Sequence, residues 1–181
     1  MKFKTYLILT FIFCFKAGFI MPTMAQEEIK LCQDPSIDLR TAPIGFQCKT
    51  SKNITFERVE REGFGEAWKD LNTNFIWSEK IGEFKNTGDV QDETIIHSDA
   101  TAACEDIEAS LPRKEQFKTS KKNGFQEVLP NMENDTYWSS TIYAGNIHDA
   151  WLLFLSIGLS YFDTESRERP LSVRCIYEEK K

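Results

Sequence analysis

The residues best equipped for chemistry in this 181-residue chain are two histidines, His97 and His148, and five cysteines. No Cys-x-x-Cys unit occurs, and the histidines do not stand in a zinc-ligand spacing with the cysteines, so neither a zinc centre nor a thioredoxin-type redox site is signalled. Neither histidine lies near a Gly-x-Ser-x-Gly elbow or any other nucleophile motif. The expectation is a protein without catalysis, cofactor or metal. Binding chemistry is better represented. The segment Ile142-Tyr143-Ala-Gly-Asn146-Ile-His148-Asp149 puts an aromatic ring beside an amide, an imidazole and a carboxylate in a loop between two strand-like stretches. A tyrosine there can stack on a sugar ring while Asn146, His148 and Asp149 bind hydroxyls, and loops on rigid scaffolds are where binding residues concentrate. Asn131, Glu133, Asn134 and Asp135 could offer oxygens to calcium, but their spacing fits no EF-hand and reads as an acidic turn. Arg113, Lys114, Lys118, Lys121 and Lys122 form a basic stretch that reads as a solvated helix face.

The positions of these residues depend on which part of the chain folds. Lys2 and Lys4 precede an apolar run from Tyr6 to Phe15, and Thr23-Met24-Ala25 places small residues before a cut after Ala25. This is the pattern of a secretory signal peptide over 1–25, with an apolar run too short to span a bilayer, which needs about 20 residues. Its removal takes three lysines (Lys2, Lys4, Lys16) and no acids, so the formal charge moves from −6 to −9. An acidic chain is a poor candidate for nucleic acid, since phosphate binding concentrates Lys and Arg on one face. Export also discards Cys14 and leaves Cys32, Cys48, Cys104 and Cys175, an even set that favours two disulfides in an oxidising compartment. Four cysteines permit three pairings. With 41% hydrophobic and 28% charged residues, the remainder has the makeup of one globular domain, not membrane-spanning after cleavage.

Residues 26–53, with Pro35, Pro43 and Gly45 among polar residues, read as an irregular lead-in. The domain proper is expected over 54–178. Ile54, Phe56 and Val59 suggest a strand, and Trp68 precedes the apolar cluster Phe75-Ile76-Trp77. Residues 82–94 read as a polar loop. Ser98 is placed to cap a helix whose apolar stripe is Ala100, Ala103, Cys104 and Ile107, at i, i+3, i+4 and i+7. Arg113 to Ser120 is expected as a second, short helix anchored by Phe117 and stopped by Asn123-Gly124. Beyond Pro130 the pattern turns to β: Tyr137-Trp138, the unbroken apolar run Ala150 to Leu155, a turn at Ser156-Ile157-Gly158, a return over Leu159 to Phe162, and a last strand over Leu171 to Tyr177. Short connections favour antiparallel pairing. The expected class is α+β, with early helices packed on a late, mostly antiparallel sheet. Trp77, Trp138 and Trp151 are expected as core residues rather than sugar platforms.

Several of these pieces occur in a recognisable order. Trp68-Lys-Asp-Leu-Asn-Thr-Asn-Phe-Ile-Trp77, Ala100-Thr-Ala-Ala-Cys104, Leu111-Pro112, Tyr137-Trp138-Ser139-Ser140-Thr141, Ala150-Trp151 and Val173-Arg174-Cys175 follow one another. The set resembles the bacterial DUF1566 family, itself similar to the C-terminal domain of the Legionella collagen-like adhesin. The resemblance implies a disulfide-stapled variant of the C-type-lectin-like fold from about Ile54 to Tyr177. It also implies a bridge from Cys104 to Cys175, leaving Cys32 to Cys48 as the second. In the chain-entropy treatment the long closure is worth roughly 4 kcal/mol and the short one roughly 3. The chain departs from the family pattern at Asn74, where Asn can still take the left-handed conformation, and at Arg113, where a capping Thr or Ser is common. By this resemblance the protein would be an exported, adhesin-like module that binds a glycan or a surface protein at the bacterial envelope. The alternative is a structural envelope component without a small-molecule ligand.

Overall fold

The computed structural model describes residues 29–81, 95–130, 132, 134–156 and 159–179. The expected signal segment, the polar loop at 82–94, Asn131, Glu133 and the turn residues Ile157 and Gly158 lie outside the described residues. The chain is α+β, with β1 (Gln47–Lys49), β2 (Thr55–Val59), β3 (Ala67–Asp70), β4 (Phe75–Ile81), α1 (His97–Glu105), α2 (Lys114–Lys122), β5 (Asp135–Ile142), β6 (Asp149–Ser156), β7 (Leu159–Ser166) and β8 (Val173–Glu178). A single 3₁₀ turn, Phe125–Glu127, follows α2.

Among the described residues two antiparallel sheets form, one of five strands in the order β1-β2-β3-β4-β8 and one of three in the order β5-β6-β7. The expectation of helices first and sheet last is corrected: four strands precede the helices, and β8 returns to pair with β4. The lead-in also contributes a strand, β1, paired with β2 through Cys48 and Phe56. Sequence periodicity did not reveal it because Gln47-Cys48-Lys49 has a single apolar residue.

The larger core lies between the sheets. Trp77 rests against Phe117 of α2 and against Phe125, with ring centroids 5.4 and 5.2 Å apart, and Tyr137, Leu153 and Leu155 close over them from the smaller sheet. A second cluster on the opposite face joins Ala100 and Cys104 of α1 to Trp138, Ala150, Leu152, Val173 and Cys175. Strand β6 therefore buries both faces, which explains its unbroken apolar run.

Two disulfides close the body. Cys104 and Cys175 join α1 to β8, with Cα atoms 5.4 Å apart, and Cys32 and Cys48 join the lead-in to β1, with Cα atoms 4.9 Å apart. Both distances fall in the range a disulfide requires. The bridge at Cys104 is wholly buried, so it acts inside the second cluster rather than at its rim.

Helix α1 begins two residues earlier than a Ser98 cap would place it, and Ile96 stands at the cap position instead. The N–H of His97 donates to the carbonyl of Arg167 at 3.0 Å, so a distant segment satisfies the first turn, while the Ser98 hydroxyl turns to Asp99. At α2 the backbone N–H of Arg113 donates to Gln116 Oε1 at 2.8 Å and that of Lys114 to Thr141 Oγ1 at 3.0 Å. The second bond is a cap supplied from β5, and it makes a Ser or Thr at position 113 unnecessary.

Candidate functional site

The β5–β6 connection is a tightly tied loop. Tyr143 N–H donates to the Asp149 carbonyl at 3.0 Å, Asn146 N–H to the Tyr143 carbonyl at 3.2 Å, and Asp149 N–H to the Asn146 carbonyl at 3.1 Å. Asn146 engages both ends of its amide within the loop, accepting from His148 N–H at 3.1 Å and donating to Asp149 Oδ2 at 3.0 Å. Of the four residues singled out in the sequence, Asn146 and Asp149 thus shape the loop, while Tyr143 and His148 project from it, both exposed.

Tyr143 stands edge-on against Trp151, with centroids 5.6 Å apart and planes at 90°. Gly145 fits beneath the tyrosine: a Cβ there would come within 2.7 Å of its ring. Trp77 and Trp138 are fully buried as expected, but Trp151 is only half-buried, which corrects its assignment to the core. Along β6 it shares a face with Leu153 and Leu155 but lies nearest the loop, past the reach of the large core. The ammonium of Lys114 stands over the Trp151 ring and 5.7 Å from that of Phe162. Burial pulls the Lys114 ammonium below the ordinary lysine range, Lys118 adds to this, and Glu115 opposes it. Electrostatic attraction to the indole face holds the charge in place.

His148 lines a second feature, a polar cleft of about 160 Å³ with Ser98, Ser166, Arg167 and Glu168. Arg167 builds its frame. Its N–H donates to the His148 carbonyl at 2.9 Å, and its carbonyl takes the N–H of His97, so the residue ties the loop to the start of α1. Because Asp149 pairs with Ser166 and Trp151 with Thr164, Ser166 stands on the same sheet face as Trp151 and two residues along. The aromatic pair and the cleft are therefore neighbours at one end of the smaller sheet.

His97 is 4% exposed and packs edge-on to Trp138 at 5.3 Å. Its Nε2 lies 3.0 Å from the Ser139 carbonyl, which assigns the proton to that nitrogen and leaves Nδ1 a bare acceptor without a partner among the described residues. Burial pushes its pKa down, Arg167 lowers it further, and the Ser139 carbonyl opposes.

The remaining candidates are dispersed. Asp135 pairs with Lys80 at 2.5 Å and accepts the Ser172 hydroxyl at 2.8 Å, so its carboxylate is engaged within the fold. Among the described residues no group of three or more His, Cys, Asp or Glu is placed to hold a metal ion. The basic stretch is divided: Arg113 faces Glu178 at 3.7 Å, Lys118 faces Glu115 at 2.8 Å, and Lys121 donates to the Ser160 carbonyl at 2.9 Å. Among the described residues no helix is long and apolar enough to cross a membrane.

No protein-family model and no curated protein matches this chain. Trp151, Lys114, Ser98, Ser166 and Arg167 adjoin the candidate site; sequence patterns give Trp151 to the core, Lys114 to a solvated helix face and Ser98 to a helix cap, and do not single out Ser166 or Arg167. Only the position of Trp151, first of its face beyond a polar loop, offered a cue.

Proposed function

We propose that the protein is an exported, non-catalytic binding module of adhesin-like type at the bacterial envelope, recognising a carbohydrate through the β5–β6 loop. The observation that carries this reading is the exposed Tyr143 ring, held edge-on by Trp151 on a loop already ordered by Asn146. A ring presented without conformational cost is what stacking on a sugar needs, because ordering a loop on binding would subtract from affinity. Two disulfides support placement in an oxidising compartment, in keeping with the signal-like segment at 1–25. The ordered motifs and the α1–β8 bridge support the DUF1566 resemblance and, with it, a C-type-lectin-like assignment.

A protein ligand is the second reading, and one observation favours it. Ile147, at the loop tip, is 72% exposed beside the exposed Ile142 and Tyr143, an apolar group better matched to a protein pocket than to hydroxyls. Glycan arrays and surface-protein pull-downs with the disulfide-intact chain test both readings. Tyr143→Ala is expected to abolish a glycan signal with unchanged unfolding temperature, and Ile147→Ser to abolish a protein signal. Blank screens, or signals indifferent to both substitutions, overturn the assignment of this loop.

A further inference from the structure

The cleft beside the loop has a charge arrangement that the binding role does not require. Its lining comes from three separate segments: Ser98 at the start of α1, His148 from the β5–β6 loop, and Ser166, Arg167 and Glu168 at and just beyond the end of β7. Arg167 is fixed by two backbone hydrogen bonds, yet among the described residues its guanidinium has no carboxylate or carbonyl partner, and its Nε is buried without an acceptor. Of the acids close by in sequence, Glu165 pairs with Arg169, and Glu168 lines the cleft without a hydrogen bond or ion pair to the guanidinium among the described residues. A guanidinium stays charged at every relevant pH and presents a fork suited to planar oxyanions, so one left unmatched in a walled cleft is an open anion site.

Size and charge narrow the ligand. At about 160 Å³ the cleft has room for one compact group. Glu168 also lines it, and its negative charge disfavours a dianion more than a monoanion. We propose that this cleft binds a single carboxylate group, held by the Arg167 guanidinium with the Ser166 hydroxyl and the His148 ring beside it, and that Glu168 selects against phosphate. The site is independent of sugar or protein recognition at Tyr143, so either can fail without the other.

The test is a titration of the disulfide-intact protein with sodium acetate and, separately, inorganic phosphate, followed by amide NMR at constant ionic strength. Acetate is expected to give saturable shifts at Ser98, His148, Ser166 and Arg167, and to bind more tightly than phosphate. Arg167→Gln should weaken acetate about tenfold or more, in line with loss of a charge-assisted pair. The Tyr143→Ala variant should bind acetate as the parent does. Glu168→Gln, at an exposed position, should raise phosphate binding relative to acetate, and serves as the deciding variant if Arg167→Gln lowers the unfolding temperature. Linear, unsaturable shifts, equal acetate binding in Arg167→Gln, or an acetate-to-phosphate ratio unchanged in Glu168→Gln would each overturn the proposal.

Discussion

Thr141 Oγ1 accepts the backbone N–H of Lys114 at 3.0 Å, so a strand residue caps the helix whose first side chain covers Trp151. Removing that acceptor leaves a first-turn N–H of α2 without its bond. Thr141→Val keeps the side-chain shape and should cost about 1 kcal/mol, the usual worth of an N-terminal cap. Thr141→Ser should recover most of it. Urea unfolding followed by circular dichroism measures both, and equal stability of Val and Ser variants would show that solvent replaces the cap.

That contact also marks the boundary of what sequence could reveal. Helices α1 and α2 and strands β2 and β5 to β8 are legible in apolar spacing and breakers, and Phe117 stands out as the anchor of α2, whereas β4 shows only as the cluster Phe75-Ile76-Trp77 and β3, with Trp68 its one large apolar residue, carries no strand pattern. The irregular lead-in concealed β1, since one cysteine between Gln47 and Lys49 makes no pattern. Ser98 looks like a cap in sequence because the acceptor that serves the first turn, the Arg167 carbonyl, comes from 70 residues away along the chain. Trp151 was misjudged for a related reason: in β6 both faces are buried, so alternation cannot say which aromatic lies past the core's edge. Local rules see neither the return of a distant segment nor the end of a neighbouring layer.

The two disulfides should differ in worth. Cys104 and Cys175 close a loop of sequence separation 71, against 16 for Cys32 and Cys48. In the chain-entropy treatment the double variant Cys104→Ala/Cys175→Ala loses about 4 kcal/mol and Cys32→Ala/Cys48→Ala about 3. The first also empties space between α1 and β8, which widens the gap. Denaturant midpoints of the two double variants decide the order, and a larger loss from the short loop would contradict it.

Asn74 occupies the left-handed region at φ 62° in the turn between β3 and β4, where its N–H donates to the Asp70 carbonyl at 2.8 Å. Asn tolerates that conformation, and Gly tolerates it at least as well. Asn74→Gly should therefore fall within about 0.5 kcal/mol of the parent, whereas Asn74→Ala, which keeps the Cβ but loses the short polar side chain that makes this conformation tolerable, should lose about 1 kcal/mol. Thermal unfolding of the pair checks the difference, which vanishes if the turn relaxes.

His97 makes folding pH-dependent in a defined direction. Its folded pKa lies below the ordinary 6.5 because burial, and then Arg167, disfavour the imidazolium. Well above 6.5 the ring is neutral in both states, so no dependence arises there. As the pH falls below that value the unfolded chain takes a proton that the folded one resists, and stability declines until the folded pKa is reached. His97→Gln keeps a donor for the Ser139 carbonyl and removes the titration. The difference in unfolding free energy between parent and variant, measured from pH 7.5 to 5, should fall on the acid side, and a constant difference would refute the assignment.

Gly145 decides where Tyr143 stands. A methyl group at that position would meet the tyrosine ring at 2.7 Å, and the ring, being a flexible side chain at the surface, is the element that gives way. Because Gly145 has an ordinary negative φ, alanine adds no backbone strain, and Gly145→Ala should leave the unfolding temperature within a degree or so, as surface changes outside special sites are worth about 0.5 kcal/mol or less. The displaced ring no longer meets Trp151 edge-on at 5.6 Å, so the indole gains exposure on that side. Its fluorescence should shift to longer wavelength and become more accessible to a neutral quencher such as acrylamide, while Trp68, Trp77 and Trp138, all fully buried, contribute an unchanged background. Tyr143→Ala should give the same spectral change by a different route. Any glycan affinity should fall in both variants together. A Gly145→Ala protein whose spectrum moves but whose glycan affinity does not would detach recognition from the placement of Tyr143.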